Sequence, residues 1–446
     1  MEQKTGVFPK DFIWGIASSA GQTEGAIHDD GRSPSIWDTF SAVPGNILNG
    51  DLPSVSCDSY HRCLTDVENL SKLGVDSYRF SISWSRVMPD GTGRVNLKGV
   101  DFYKRLTEAL LNKNIKPHLC LYHWDLPQVL EDRGGLSSRD FPEWFSEYAL
   151  NMYRVLGDII PMWSTVNEPI AAFVGYGLGE LAPGSKDIKR GYQAAHNLLV
   201  AHGKAVKAFR SVAPPENQIG IIMDIWKRYP LRNVPEDIAL AKEEDETNWK
   251  FYLDPVLTGQ YSDYIIEELT REGILMDIGP HDLELISTPL DFFGVNIYNR
   301  VVVSEDEQAL YEFRQGKNFF SNGTEIFPQA MYDNLKILTD DYKLNIPLYV
   351  SENGTFGVNE AENPVTNIVE DDEKIAYMEG CIAQLARFMN EGYDVKGYYA
   401  WTLMDNFEWT AGYSRKYGLL KTNFETLERT WKKSAYWYRD WIRKNK

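Results

Sequence analysis

Trp163-Ser164-Thr165-Val166-Asn167-Glu168-Pro169 closes a short apolar run that begins at Ile159. The run reads as a buried strand. Pro169 ends it, because its nitrogen has no hydrogen to give to a ladder. An Asn-Glu pair is therefore held at the carboxyl end of a strand. Leu348-Tyr349-Val350-Ser351-Glu352-Asn353-Gly354 repeats the plan far along the chain. Apolar and β-branched residues lead to Glu352, and a turn pair follows.

Six further runs of the same kind complete a set of eight. They are Asp11–Ser18, Ser77–Ser83, His118–Trp124, Ile219–Met223, Phe292–Ile297 and Gly397–Leu403, beside Pro161–Val166 and Leu348–Ser351. Helical periodicity fills the intervals, as in Cys63–Leu73, Lys98–Asn112, Trp144–Leu156, Gln193–Arg210, Ala330–Tyr342 and Glu373–Asn390. Strands alternating with helices predict a parallel sheet. Eight such units predict a closed (β/α)8 barrel. A doubly wound sheet would bring a glycine-rich phosphate turn after its first strand, and Gly15-Ile16-Ala17-Ser18 is not one. Asp30–Asp58, Arg300–Thr324 and Thr355–Asp371 are long polar stretches, the kind of loop that shapes a site above a barrel. No repeat, linker or low-complexity segment divides the chain, so residues 1–446 are expected to form one α/β barrel domain.

The net charge is −18 and the isoelectric point is near 4.9. That balance repels phosphate, which argues against nucleic acid or an anionic membrane as partner. It suits a small neutral substrate. The N-terminus has no apolar h-region and no stretch is long enough to span a bilayer, so a cytoplasmic protein is expected. Cys57, Cys63, Cys120 and Cys381 show no C-x-x-C spacing and read as reduced thiols. Seven scattered histidines include no H-E-x-x-H, so neither a metal nor another cofactor is expected. Nothing in the sequence predicts the oligomeric state.

In a barrel the carboxyl ends of the strands build the site. Taken in turn, they present Gln22 and Glu24, Arg79, His123 and Trp124, Asn167 and Glu168, Asp224 and Trp226, Asn296 and Tyr298, Glu352, then Trp401 with Glu408 and Trp409. This set suits a saccharide. Gln, His, Asn and Glu bind hydroxyls in donor–acceptor pairs, and a tryptophan face lies against the C–H face of a pyranose. Trp163 is counted with these strand-end tryptophans. Either Glu168 or Glu352 alone could be an ordinary solvated carboxylate. Together they are what double-displacement glycoside chemistry requires. Arg79 is expected to keep Glu352 ionised as the nucleophile.

At this point the chain resembles the family-one glycoside hydrolases, the retaining β-glucosidase family. The match runs from Phe8-Pro9-Lys10-Asp11-Phe12 to Ser434-Ala435-Tyr436-Trp437-Tyr438. It includes Phe12-Ile13-Trp14-Gly15, Pro34-Ser35-Ile36-Trp37-Asp38, Tyr78 to Arg86, Tyr122 to Pro127, Asn167-Glu168-Pro169, Ser351-Glu352-Asn353-Gly354 and Trp401 to Trp409. The resemblance implies that Glu168 is the acid/base and Glu352 the nucleophile. It implies that Gln22, His123, Asn167, Asn296, Tyr298, Trp401, Glu408 and Trp409 line the subsite for the non-reducing sugar, with Glu408 on its C4 and C6 hydroxyls. Four positions depart from the family pattern. Gly21 stands for Tyr and Thr324 for Trp, which is expected to open the leaving-group side. Ser351 stands for Thr, and Tyr417 for Phe.

Two rival readings remain beside a β-glucosidase that also takes β-galactosides or β-fucosides. One is hydrolysis of 6-phospho-β-glucosides. Tyr417 occurs in that branch, and Arg415 with Tyr417 would suit a phosphate, but Glu408 would repel it. The other is an inactive sugar-binding protein on the same barrel, against which both glutamates stand. A thioglucosidase would lack the acid at position 168.

Overall fold

The computed structural model describes residues 8–358 and 360–446. Eight parallel strands close into a barrel: β1 (Ile13–Ala17), β2 (Ser77–Ser81), β3 (Lys116–Tyr122), β4 (Met162–Asn167), β5 (Gln218–Asp224), β6 (Phe292–Asn296), β7 (Leu348–Asn353) and β8 (Val395–Trp401). Each pairs with its neighbours in the chain, and β8 closes on β1. The outer ring includes α1 (Ser59–Leu73), α2 (Leu97–Asn112), α3 (Phe141–Leu156), α4 (Ile188–Val212), α5 (Phe251–Thr258), α6 (Gln329–Lys336), α7 (Asp372–Asn390) and α8 (Lys433–Asn445). Sequence order predicts this arrangement, because a parallel pair needs a crossover and a helix supplies it.

Strand alternation divides the side chains between the bore and the helices. Met162, Phe292, Tyr349 and Tyr399 fill the bore. Gly15 has no side chain because the Tyr399 ring occupies the place of a Cβ. His118 joins this layer, its Nε2 2.6 Å from Ser164 Oγ. The bore is thus packed shut below the carboxyl ends of the strands.

Register shifts recur around the barrel, and two of them carry function. The β4–β5 register shifts between Ser164 and Asn167. The β6–β7 register shifts between Val295 and Asn296, so that Asn296 pairs with Glu352. Shifts of this kind re-aim the residues that follow. They let Asn167 and Glu352 face the barrel mouth where strict alternation would turn them outward.

Trp163 is a correction to the sequence reading. It is the second residue of β4, fully buried, and faces the helices. Its indole N–H donates to Ile160 O at 2.8 Å and its ring meets Tyr153 of α3 edge-on.

Candidate active site

A cavity of about 500 Å³ opens at the carboxyl ends of the strands. Glu168 and Glu352 both line it. Glu352, only 3% exposed, is held on both oxygens. Oε1 is paired with the Arg79 guanidinium, and Oε2 accepts from Tyr298 Oη at 2.7 Å. Arg79 is fully buried, so its counter-charge acts with little screening by water.

Glu168 meets different surroundings. Its Oε1 accepts from Asn296 Nδ2 at 2.6 Å, and among the described residues it makes no ion pair. Burial pushes its carboxyl well above the usual range, and the negative charges of Asp224 and Glu352 push the same way. Its backbone lies in the left-handed region, φ 47°, as do Trp124 at 75° and Trp409 at 48°. Three cavity residues therefore carry backbone conformations that L residues rarely adopt.

Asn167 and Asn296 do not line the cavity wall. They are buried beneath it and their amides are engaged by protein groups. Asn167 Oδ1 accepts from Asn296 Nδ2 at 3.1 Å, and its Nδ2 faces His123 Nε2 at 3.2 Å. Asn296 Oδ1 accepts from Ser351 Oγ at 2.8 Å. The two asparagines form a floor that ties β2, β4, β6 and β7 together. His123 is neutral: burial and the Arg79 charge hold its pKa well below the ordinary histidine value.

The opposite wall is aromatic. Trp124 and Trp409 lie 4.9 Å apart, and Trp37 backs Trp409 at 4.4 Å. His123 stacks 5.9 Å from Trp401. Gln22 comes from a short helical turn, Ala20–Thr23, past the end of β1. Its Nε2 donates to Glu408 Oε2 at 3.1 Å. Burial raises the Glu408 carboxyl to about 7, against Arg415 and Gln22, which lower it. On the outer side stand Trp226, Thr324, Phe356, Arg415 and Tyr417.

Glu24 does not join the site. Its carboxylate accepts from Arg86 Nε at 3.0 Å, behind the first loop. Gly21 does not face the leaving-group side either. A Cβ there would meet the Trp409 ring edge at 3.3 Å and Asp125 at 3.6 Å, so this departure bears on Trp409. Thr324 does line the cavity. The structure adds weight to Asp224, whose place beside Glu168 depends on the β4–β5 register.

The glycosyl hydrolase family 1 model matches residues 4–446. The chain is 43% identical over 446 residues to β-glucosidase A of Acetivibrio thermocellus, covering 98% of each chain. It is 34% identical to an aryl-phospho-β-D-glucosidase of Bacillus subtilis, again over 98% of each. The solved structure of a Thermotoga maritima β-glucosidase in complex with glucoimidazole superposes with a TM-score of 0.92 at 38% identity, covering 98% of this chain and 99% of that one.

Proposed function

Because the chain belongs to glycosyl hydrolase family 1, we propose that it is a retaining β-glucosidase. It removes terminal non-reducing β-D-glucosyl residues from cello-oligosaccharides and from aryl and alkyl β-glucosides, and it also accepts β-galactosides or β-fucosides. The observation that carries this reading is the asymmetry of two carboxylates in one cavity. Glu352 is paired with a buried guanidinium, whereas the surroundings of Glu168 favour its protonated form.

In this reading Glu352 attacks the anomeric carbon as the bond to the leaving oxygen breaks, and Glu168 gives that oxygen its proton. Water then attacks the same carbon. Glu168 takes a proton from the water, and the bond to Glu352 breaks. Two inversions leave the β configuration. Gln22, His123, Glu408, Trp401 and Trp409 hold the sugar by hydroxyl contacts and ring stacking, above the floor of Asn167 and Asn296. The step uses side chains alone. The whole chain is read as one catalytic domain. Four buried free thiols fit the cytoplasm, and no helix among the described residues is long and apolar enough to cross a membrane.

A second reading, hydrolysis of 6-phospho-β-glucosides, draws on Arg415 and Tyr417 beside Glu408 in the cavity. A panel of aryl β-glycosides with and without a 6-phosphate decides between them. Plain β-glucoside turnover, with β-glucose as the first product by NMR, is expected. Turnover of the phosphorylated substrate alone would overturn the assignment, as would α-glucose as first product.

A further inference from the structure

The double displacement above leaves a third carboxylate unused. Asp224 is the last residue of β5 and only 8% exposed. It pairs in register with Asn296 of β6, and Asn296 is the residue whose amide holds Glu168. The Glu168 backbone N–H donates to Ile222 O at 2.9 Å, two residues before Asp224 on the same strand. Asp224 and Glu168 therefore sit side by side on neighbouring strand ends.

Among the described residues no cation lies within ion-pair distance of Asp224. Arg228, which follows it, is turned to Glu244 at 3.2 Å, Asn248 at 2.9 Å and Trp226 O at 2.6 Å. Trp226, two residues further on, lines the cavity. Trp226 lies parallel to Tyr298 at 5.9 Å, and Tyr298 donates to Glu352. Asp224 thus reaches the acid/base through Asn296, its partner across the β5–β6 ladder.

We propose that Asp224 is a positioning residue for the hydrolysis: its negative charge keeps the proton on Glu168 until the leaving oxygen takes it. The proposal rests on the acid/base role of Glu168. The groups facing Glu168 are Asp224 from β5, Glu352 from β7, Arg79 from β2 and Asn296 from β6, with the Tyr298 and Tyr417 phenols nearby. After burial, Asp224 contributes most to the upward push on Glu168, ahead of Glu352. Burial raises Asp224 itself to about 7, so the pair loses its protons in steps that belong to both.

The test is the pH profile of kcat/KM for cellobiose in Asp224→Asn, which removes the charge and keeps the shape. The basic limb is expected to move to lower pH by about one unit, the scale of a nearby like charge. Turnover of dinitrophenyl glucoside, whose leaving group needs no proton, should keep the wild-type profile on that side. Asp224→Glu should return the limb. Trp226→Phe should raise KM for aryl glucosides severalfold and leave the limb in place. If Asp224→Asn does not fold, Asp224→Ser carries the same comparison. A basic limb that stays at its wild-type position in the charge-free variant overturns the role of Asp224 alone. A wild-type enzyme inactive on every β-glucoside overturns the β-glucosidase reading and this proposal together.

Discussion

Two clusters of buried charge lie one loop apart and are built on opposite rules. Behind the loop that carries Glu408, Lys374 and Lys432 meet Glu360, Asp371 and Asp405. Lys432 Nζ is 2.5 Å from Glu360 and 2.8 Å from Asp405, and Lys374 Nζ is 3.3 Å from Glu360 and 3.4 Å from Asp371. Each carboxylate there has a lysine. At the cavity, Glu168, Glu352 and Glu408 line the wall and Asp224 lies beside Glu168, but only Glu352 is paired with the buried cation Arg79, and Arg415 is exposed at the rim. Paired charge fixes a loop in place. Unpaired carboxylates give protons that leave near neutral pH, which acid–base chemistry needs and stability does not.

The widest separation between the clusters should appear in activity. Glu352→Ala is expected to lose on the order of 10^5-fold in kcat on every substrate, about 7 kcal/mol of barrier. Glu168→Ala should lose roughly 10^2- to 10^4-fold on cellobiose, the scale of one general acid, while glycosylation by dinitrophenyl glucoside is spared. Azide should rescue Glu168→Ala and give the β-glucosyl azide by attack on the intermediate. In Glu352→Ala it should give the α-azide by direct displacement. Equal leaving-group dependence in the two variants, or exchanged anomers, would break the assigned asymmetry.

The paired cluster should answer in stability instead. Lys432→Met removes the cation shared by Asp405 and Glu360 and leaves both carboxylates buried. Breaking one side of a buried pair costs about 3–5 kcal/mol. Denaturant unfolding followed by tryptophan fluorescence measures it. A loss below about 1 kcal/mol would show that the cluster tolerates imbalance as the cavity does, and the contrast between the two would fall.

The barrel itself was largely legible. All eight predicted strands are present, with ends displaced by at most two residues, because buried parallel strands read as apolar runs between helical periodicities. The short ladders outside the barrel, such as Arg228–Pro230 with Val301–Val303, were not, since three residues carry no periodicity. The helices Pro235–Asp245 and Phe251–Thr258 also escaped, in a stretch where polar and apolar residues mix without a clean stripe. In the site, residue identities were legible and their aim was not. Strict alternation cannot put Ser351 and Glu352 on one side; the shift that does so is an extra residue in their own strand, opposite Val295 and Asn296, and an extra residue leaves no mark in an apolar run. The same limit placed Trp163 at the mouth and left Asp224 without a role. Its nearness to Glu168 is a fact of two strands, and no single stretch of sequence states it.

The smallest expected effect puts the cost of the unpaired site on a pH scale. Burial raises Glu408 to about 7 in the folded protein, whereas an exposed glutamate titrates near 4.3. Below that lower value both states are protonated, and the group contributes nothing to the pH dependence. As pH rises from there to about 7, the unfolded chain ionises while the folded one keeps its proton, so stability falls. Above about 7 the full penalty is present. Glu408→Gln keeps the shape and removes the titration. Its melting temperature relative to wild type should therefore be unchanged near pH 4.5, climb through pH 7 and level off, by on the order of 4 °C at most for a chain of this size. Its kcat/KM for plain β-glucosides should fall over the same range, because a neutral amide grips the sugar hydroxyls less strongly than a carboxylate. Calorimetry from pH 4.5 to 8 beside wild type reads the first effect and aryl glucoside kinetics the second. A melting difference that does not grow with pH would mean that Arg415 and Gln22 compensate Glu408 fully, and would move it from the unpaired cluster to the paired one.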